Sequence, residues 1–294
     1  MRKGIRQWCQ ALPFIGPALI LLGLFVLYPL ARNIQISFSN FDILADTITE
    51  SVGVRHYQAL FQSSKYLLAL RNTLLYTAVT VPGQMFFGLV LACLIRSIRR
   101  GQTACKVISY LPVLTSWVIV SLVFRYLFMS GKSGFINYVL MQAGILSSPV
   151  SWLQHEWTAN LVLWLFGIWK GVGWVMVIYL AALQSVPGDI YEAAQIDSAN
   201  AIQIFFRITI PMVRNTTLYL LTVLTIGAFG AYIHVMMITE GAPLGTTNEL
   251  MNLMYDTAFS KYDFGSAAAQ SVIMGAMIFL ITLVQRRVTS ETVN

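Results

Sequence analysis

Six long apolar segments set the strongest limit on what this 294-residue chain can fold into. Each is close to the roughly 20 residues that a helix needs to cross a bilayer. They cover residues 11–31, 73–95, 107–128, 159–183, 216–237 and 266–284. The pattern predicts an all-α polytopic membrane protein whose six transmembrane helices form one domain over residues 1–294.

The composition excludes several other classes of protein. Hydrophobic residues make up 57% of the chain and charged residues 11%, whereas a soluble domain has about 45–50% and about 25%. The net charge of +7 does not indicate nucleic-acid binding, because the basic residues lie in short clusters between the apolar segments. We therefore expect neither a soluble enzyme nor a nucleic-acid binder.

The distribution of positive charge predicts the orientation in the membrane. With the N-terminus inside, eleven Lys and Arg residues fall on the inner side and six on the outer side. This excess favours both termini in the cytoplasm, with segments 96–106 and 185–215 also inside. The basic start resembles that of a signal peptide, but its apolar run exceeds the usual core of about 7–15 residues. It is interpreted as a retained first helix.

The six segments contain no Asp or Glu. This absence favours a transport process whose energy source lies outside the membrane. Ion-coupled carriers commonly place a carboxylate near the middle of the membrane. A secondary transporter of a small polar solute is the alternative function, and it also predicts inverted repeats, which are not evident. A membrane enzyme needs a nucleophile–base pair or a metal set at membrane depth. Neither is recognisable, and the three unevenly spaced cysteines predict no metal site and no disulfide.

The inner segment 185–215 carries the strongest local signal. It opens with a Pro-Gly turn, and Asp189 with Glu192 then forms a capping-box pattern. Asn200 and Gln203 repeat that pattern for a second short helix. The spacing predicts a compact helix–turn–helix on the inner face. The alternative is an ordinary amphipathic interfacial helix.

Within this segment, Glu192-Ala193-Ala194, followed by Asp197 and Pro211, resembles the EAA loop of binding-protein-dependent ABC importer permeases. The stretch looks most like the maltose-type, sugar-uptake branch. Further fragments fit the same family in the expected order: Tyr28-Pro29, Asn72-Thr73, Tyr110-Leu111-Pro112, Trp169-Lys170, Gly173, Gly241-Ala242-Pro243, Thr247, Tyr255, Ala258-Phe259, Gly265 and Ala268-Ala269. The family usually has Gly where this chain has Ser198, which leaves the turn geometry open.

The resemblance implies a type I ABC importer permease in a bacterial inner membrane. The chain itself would hydrolyse nothing and bind no cofactor or metal. ATP and Mg would belong to two separate ATPase subunits. A second permease subunit, expected to form a heterodimer, would complete the path, and an external binding protein would deliver a sugar or sugar-derived solute such as an oligosaccharide, a sugar acid or a polyol phosphate. The residues expected to contact an ATPase subunit are Glu192, Ala193, Ala194, Asp197, Ser198 and Pro211.

The outer segments 41–71 and 132–157 are candidates for contact with the binding protein, since both contain aromatic and charged residues. Aromatic residues also anchor membrane proteins at the interface with water. Both interpretations stay open at this point.

The fourth and fifth apolar segments suggest a solute path. Lys170, Gly171 and Trp174 share one side of a helix, and small residues lie at a similar depth in the fifth segment. These small residues predict either a tight helix–helix seam or a cavity. The family resemblance favours the cavity, with Trp174 stacking against a sugar ring. The predicted path consists of Lys170, Gly171, Trp174, Leu224, Gly227, Ala228 and Ala231.

Two cations lie within the predicted spans. Arg125 is close to the outer end of its segment, where a long side chain reaches water. Lys170 lies roughly 16 Å deep at 1.5 Å per residue, and an unpaired cation there costs at least about 2.5–3.5 kcal/mol. One hypothesis is that Lys170 binds an acid or phosphate group of the solute. The alternative is that backbone carbonyls and water satisfy it.

Overall fold

The computed structural model describes residues 13–43, 45–98 and 100–290. The first two residues of the first predicted segment lie outside these ranges, as do the basic residues at the N-terminus. In chain order the helices are α1 (Pro13–Ser37), α2 (Arg55–Gln62), α3 (Ser64–Ser97), α4 (Gln102–Leu114), α5 (Trp117–Leu127), α6 (Phe135–Gln142), α7 (Glu156–Gln184), α8 (Gly188–Ile196), α9 (Ala201–Met212), α10 (Arg214–Phe229), α11 (Val235–Thr239, a π-helical turn), α12 (Leu250–Tyr255) and α13 (Phe264–Ser290).

The helices agree with six membrane spans. Helices α1, α3, α7 and α13 are each long and apolar enough to cross a membrane. The pairs α4–α5 and α9–α10 bring the number to six if each bent pair is one span. The bend is 94° between α4 and α5 and 70° between α9 and α10. The third span, α4–α5, is therefore broken inside one apolar segment, which the apolar pattern alone did not indicate.

Two predicted span boundaries differ most from the structure. The second span begins at Ser64 rather than at residue 73, because Tyr66 and Ala69 are buried and hold the extra turns in place. The fifth span ends at Phe229 rather than at residue 237. The helix stops at Gly230, since glycine gives little support to a helix interior, and the chain continues into the separate turn α11.

The chain forms two compact units. The first comprises residues 1–63 and 254–276 and contains a two-stranded antiparallel hairpin, β1 (Ser39–Asp42) and β2 (Thr47–Ser51). The all-α prediction missed this hairpin. His56 fastens it, because its Nε2 lies 3.2 Å from the Ser39 carbonyl oxygen and its Nδ1 lies 3.2 Å from the hydroxyl of Ser266.

The second unit comprises residues 64–253 and 277–294. Helix α3 packs along α7, and α4 and α10 pack against the same pair. One apolar cluster joins α3, α7 and α10, with Ala92, Val175 and Leu220 fully buried. A second joins α5, α7 and α11, with Phe166 at 0% exposure. These clusters position α7 as the helix around which the site is built.

Candidate functional site

The site begins at the break between α4 and α5. Thr115 and Ser116 have extended backbone conformations, with ψ of 149° and 134°. The last carbonyl groups of α4 are therefore left without helical hydrogen-bond partners. At membrane depth such groups must find partners within the protein, because water is excluded from the hydrocarbon region.

Lys170 on α7 supplies those partners. Its Nζ donates to the carbonyl oxygens of Pro112 and Thr115, the latter at 2.6 Å. The Thr115 hydroxyl accepts at 3.2 Å and itself donates to the Pro112 carbonyl at 2.6 Å. The Lys170 side chain is only 3% exposed. The sequence left two kinds of partner open for this cation, an acidic group of the solute or backbone carbonyls with water. In the structure its partners are backbone carbonyls and the Thr115 hydroxyl.

A cavity of about 280 Å³ lies beside this break. All seven residues of the predicted solute path line it: Lys170, Gly171, Trp174, Leu224, Gly227, Ala228 and Ala231. The wall is completed by residues that the sequence reasoning missed: Tyr76, Thr80, Gln84, Val113, Trp117, Gly167 and Val223. The spacing on α7 and α10, together with the family resemblance that favoured a cavity over a tight seam, thus found two walls of the cavity. The third wall comes from α3 and from the broken span.

Gln84 and Trp117 each carried a signal that was available in the sequence. Gln84 is a polar side chain in the middle of an apolar segment, and its amide donates to the Gly167 carbonyl at 3.1 Å. Trp117 follows directly after the Thr-Ser pair at which the span breaks. Its ring lies 5.6 Å from that of Phe166, centroid to centroid, in an edge-on arrangement.

Glycines on α7 and α10 serve different purposes. A Cβ added at Gly173 would lie 2.2 Å from the carbonyl oxygen of Ser109, so α7 and α4 are in backbone contact there. A Cβ at Gly227 would meet nothing within 4 Å. The tight seam therefore lies between α7 and α4, and the small residue on α10 faces open space in the cavity.

A second buried network holds the segment that follows α11. Asn72, 1% exposed, donates to the carbonyl oxygens of Thr246 and Asn248 at 2.6 and 2.9 Å. Glu249 is 2% exposed and lies 3.1 Å from His234 Nε2. Burial raises the pKa of the Glu249 carboxyl, and the neighbouring His234 opposes that rise. The apolar segments gave no indication of this carboxylate, because it lies outside all of them.

Arg125 pairs with Glu240 near the C-terminal end of α5, and their side chains are 45% and 64% exposed. Among the aromatic residues of segment 132–157, Trp152 is partly buried within the protein. Its indole nitrogen donates to Asn137 at 2.8 Å and its ring packs edge-on against Phe128.

The predicted helix–turn–helix is present as α8 and α9. The Asn200–Gln203 capping box is confirmed, with both reciprocal hydrogen bonds at 2.9 Å. The Asp189–Glu192 capping box is not formed as predicted. Helix α8 begins at Gly188, so Asp189 lies inside its first turn.

Ser198 takes the conformation that a glycine usually takes at a helix end. The φ of Ser198 is +58°. The backbone amide of Ala199 donates to the Ala194 carbonyl oxygen at 2.9 Å, which is the hydrogen bond of a Schellman motif. A left-handed conformation costs a residue other than glycine about 1–2 kcal/mol. The turn is therefore preserved at some cost in strain.

Five of the six residues predicted to contact an ATPase subunit are exposed in this chain. Glu192, Ala193 and Asp197 are exposed, whereas Ala194 is 9% exposed and packs against its own chain. Ser198 and Pro211 are exposed as well. Behind α8, the Arg96 guanidinium lies 4.6 Å from the centroid of the Tyr191 ring. This contact connects the loop directly to the end of α3.

Comparison with known proteins bears on the whole chain. The sequence profile of the family described as binding-protein-dependent transport system inner membrane component matches residues 84–292. The chain is 31% identical to the sulfoquinovosyl glycerol transport system permease protein SmoG of Agrobacterium fabrum, covering 95% of this chain and 89% of that protein. It is 32% identical to the osmoprotective compounds uptake permease protein GgtC of Synechocystis sp., covering 93% and 97%.

Two further similarities concern substrate names and fold. The chain is 28% identical to the arabinooligosaccharides transport system permease protein AraP of Halalkalibacterium halodurans, over 95% of this chain and 88% of that protein. Among solved structures, a chain of a bacterial ABC transporter involved in the import of the acidic polysaccharide alginate superposes with a TM-score of 0.82. That pair is 24% identical and covers 98% of each chain, so it establishes a shared fold.

Proposed function

Because this chain belongs to the family of binding-protein-dependent transport system inner membrane components, and is a permease subunit of an ABC importer, we propose that the cavity beside the break in its third span is its part of the solute path. The observation that carries the proposal is the convergence of all seven predicted residues on one cavity. They come from two helices and are separated by up to 61 positions in sequence, so their convergence required the fold.

The proposed solute is a sugar or a sugar-derived compound. Relatives named for arabinooligosaccharides and for sulfoquinovosyl glycerol support this class. The cavity supports it as well, because Trp117 and Trp174 line it together with the neutral polar groups of Thr80 and Gln84. Aromatic faces with a few hydrogen-bonding groups suit a ring that has apolar faces and a polar edge.

The remaining parts of the proposal concern partners. Two separate ATPase subunits bind and hydrolyse ATP with Mg, and an external binding protein delivers the solute. A second permease completes the path. The protein lies in the inner membrane with both termini in the cytoplasm. The exposed residues of α8 and its turn, which are Glu192, Ala193, Asp197 and Ser198, contact an ATPase subunit together with Pro211.

Filling the cavity tests the proposed path. Gly227→Leu places a side chain where an added Cβ has nothing within 4 Å, so we expect normal folding and assembly but at least a tenfold loss of uptake. Gly275→Leu is the matched control, because Gly275 is also a helical glycine with nothing within 4 Å and does not line the cavity.

The measurement is ATP-dependent uptake of the binding protein's solute into proteoliposomes that hold the assembled transporter. Vanadate should abolish uptake, whereas collapsing ion gradients should not. Equal uptake by the Gly227→Leu and Gly275→Leu complexes would remove the cavity from the solute path. Uptake that depends on an ion gradient would instead favour a secondary transporter.

A further inference from the structure

We infer that Lys170 is a positioning residue that stabilises the break between α4 and α5 at Thr115 and Ser116. On this inference, Lys170 does not select solutes by their charge. The inference rests on the proposed path, since it concerns the same cavity. It follows from the hydrogen-bond capacity of the ammonium group, the charges around the cavity and the position of Trp117.

The donors of Lys170 are fully used. An ammonium group has three N–H donors and no acceptor. Three acceptors surround Nζ at hydrogen-bonding distance: the carbonyl oxygens of Pro112 and Thr115 and the hydroxyl oxygen of Thr115. The Val113 carbonyl oxygen is a more distant fourth at 3.5 Å. A solute that accepts a hydrogen bond from Lys170 would have to displace one of these three acceptors, two of which are carbonyl oxygens at the end of α4.

The charge of Lys170 is also compensated. The C-terminal end of a helix carries about −0.5 of an elementary charge, and the Lys170 ammonium group lies directly at the end of α4. The centroid of the Trp117 ring lies 5.4 Å from Nζ. The negatively polarised face of the ring stabilises the cation. Apart from Lys170, every residue that lines the cavity is uncharged. The cavity therefore offers an anionic solute little net positive charge, and it suits uncharged polar solutes.

Lys170 acts on the solute through Trp117. The break that it caps ends at Ser116, and Trp117 is the first residue of α5. The 94° bend at this point turns α5 away from the axis of α4 and places the Trp117 ring in the cavity wall. Without the cap, the carbonyls at the end of α4 recover partners by extending the helix through Thr115. Such a change moves Trp117 out of its position.

Two measurements on the assembled transporter test the inference. The first is binding of a neutral trisaccharide, maltotriose, and an anionic one, trigalacturonate, followed by tryptophan emission without the binding protein. We expect wild type to prefer maltotriose. We expect Lys170→Met to weaken binding of both by the same factor, at least fivefold. Lys170→Arg keeps enough donors to cap the break and should restore maltotriose binding to within twofold of wild type.

The second measurement reports the break itself. Spin labels at Ile108 on α4 and Ile119 on α5, which are 66% and 64% exposed, give the distance across the bend in a cysteine-free background. Lys170→Met should lengthen or broaden that distance, and Lys170→Arg should not. The spin-label measurement needs no solute. It therefore tests the role of Lys170 even if wild type binds neither trisaccharide. That result would count against the proposed solute path and not against the role of Lys170.

Either of two results overturns the inference. One is a loss of trigalacturonate binding in Lys170→Met with maltotriose binding unchanged, which would assign Lys170 to charge recognition. The other is an unchanged spin-label distance in Lys170→Met, which would show that the break does not depend on this residue.

Discussion

The seam between α7 and α4 gives the sharpest prediction about packing. In Gly173→Ala, the new Cβ would lie 2.2 Å from the Ser109 carbonyl oxygen and 3.1 Å from the Tyr110 Cα. Both are backbone atoms, so no side chain can rotate away and α4 itself must shift. Overpacking of this kind costs about 1–3 kcal/mol.

Gly227→Ala is the matched comparison, because it makes the same chemical change in a helix and meets nothing within 4 Å. The gain in helix propensity, up to about 1 kcal/mol, is common to the two variants and cancels in their difference. We therefore expect Gly173→Ala to be less stable than Gly227→Ala by about 1–3 kcal/mol, with wild type between them or close to Gly227→Ala.

The assay is unfolding of the purified protein in mixed micelles, titrated with a denaturing detergent and followed by circular dichroism. Displacing α4 also disturbs the carbonyls that Lys170 caps, so we expect Gly173→Ala to lose uptake as well. Stabilities of the two variants that agree within about 0.5 kcal/mol, the range of an unconstrained surface change, would refute the backbone contact between α4 and α7.

Two further predictions concern orientation and coupling. Single cysteines at Ser97 and Ser148, both exposed, should differ in intact cells, with an impermeant reagent labelling only position 148; labelling at 97 from outside would reverse the proposed orientation. On the loop, Ala193→Trp changes an exposed position and Ala194→Trp a buried one. We expect the first to abolish transport and stimulated ATP hydrolysis in a stably folded permease, and the second to lower the stability of the permease itself. Normal transport by Ala193→Trp would remove this face of α8 from the ATPase contact.

The features that the sequence determined by itself are those that depend on local pattern. The number of spans follows from the length of each apolar segment, because a bilayer has a fixed thickness. The Asn200–Gln203 capping box follows from a spacing of three residues, because both hydrogen bonds are made within one turn. The cavity-lining residues on α7 were predicted because helical periodicity places Lys170 and Trp174 on one face. A shared face does not depend on what lies opposite it.

The tertiary structure decided everything that depends on distant partners. Pro112 lies inside α4 without breaking it, and the helix ends two residues later at Leu114. The partner of the carbonyl groups at this end is Lys170, which is 55 positions from Thr115 in sequence. In the same way, only packing shows that Ala194 is turned inward, or that Glu249 is buried against His234. The Lys170 charge illustrates the physical reason. A cation deep in an apolar segment must be satisfied by something, but only the fold determines whether its partner is a solute or the carbonyl groups of a neighbouring helix end.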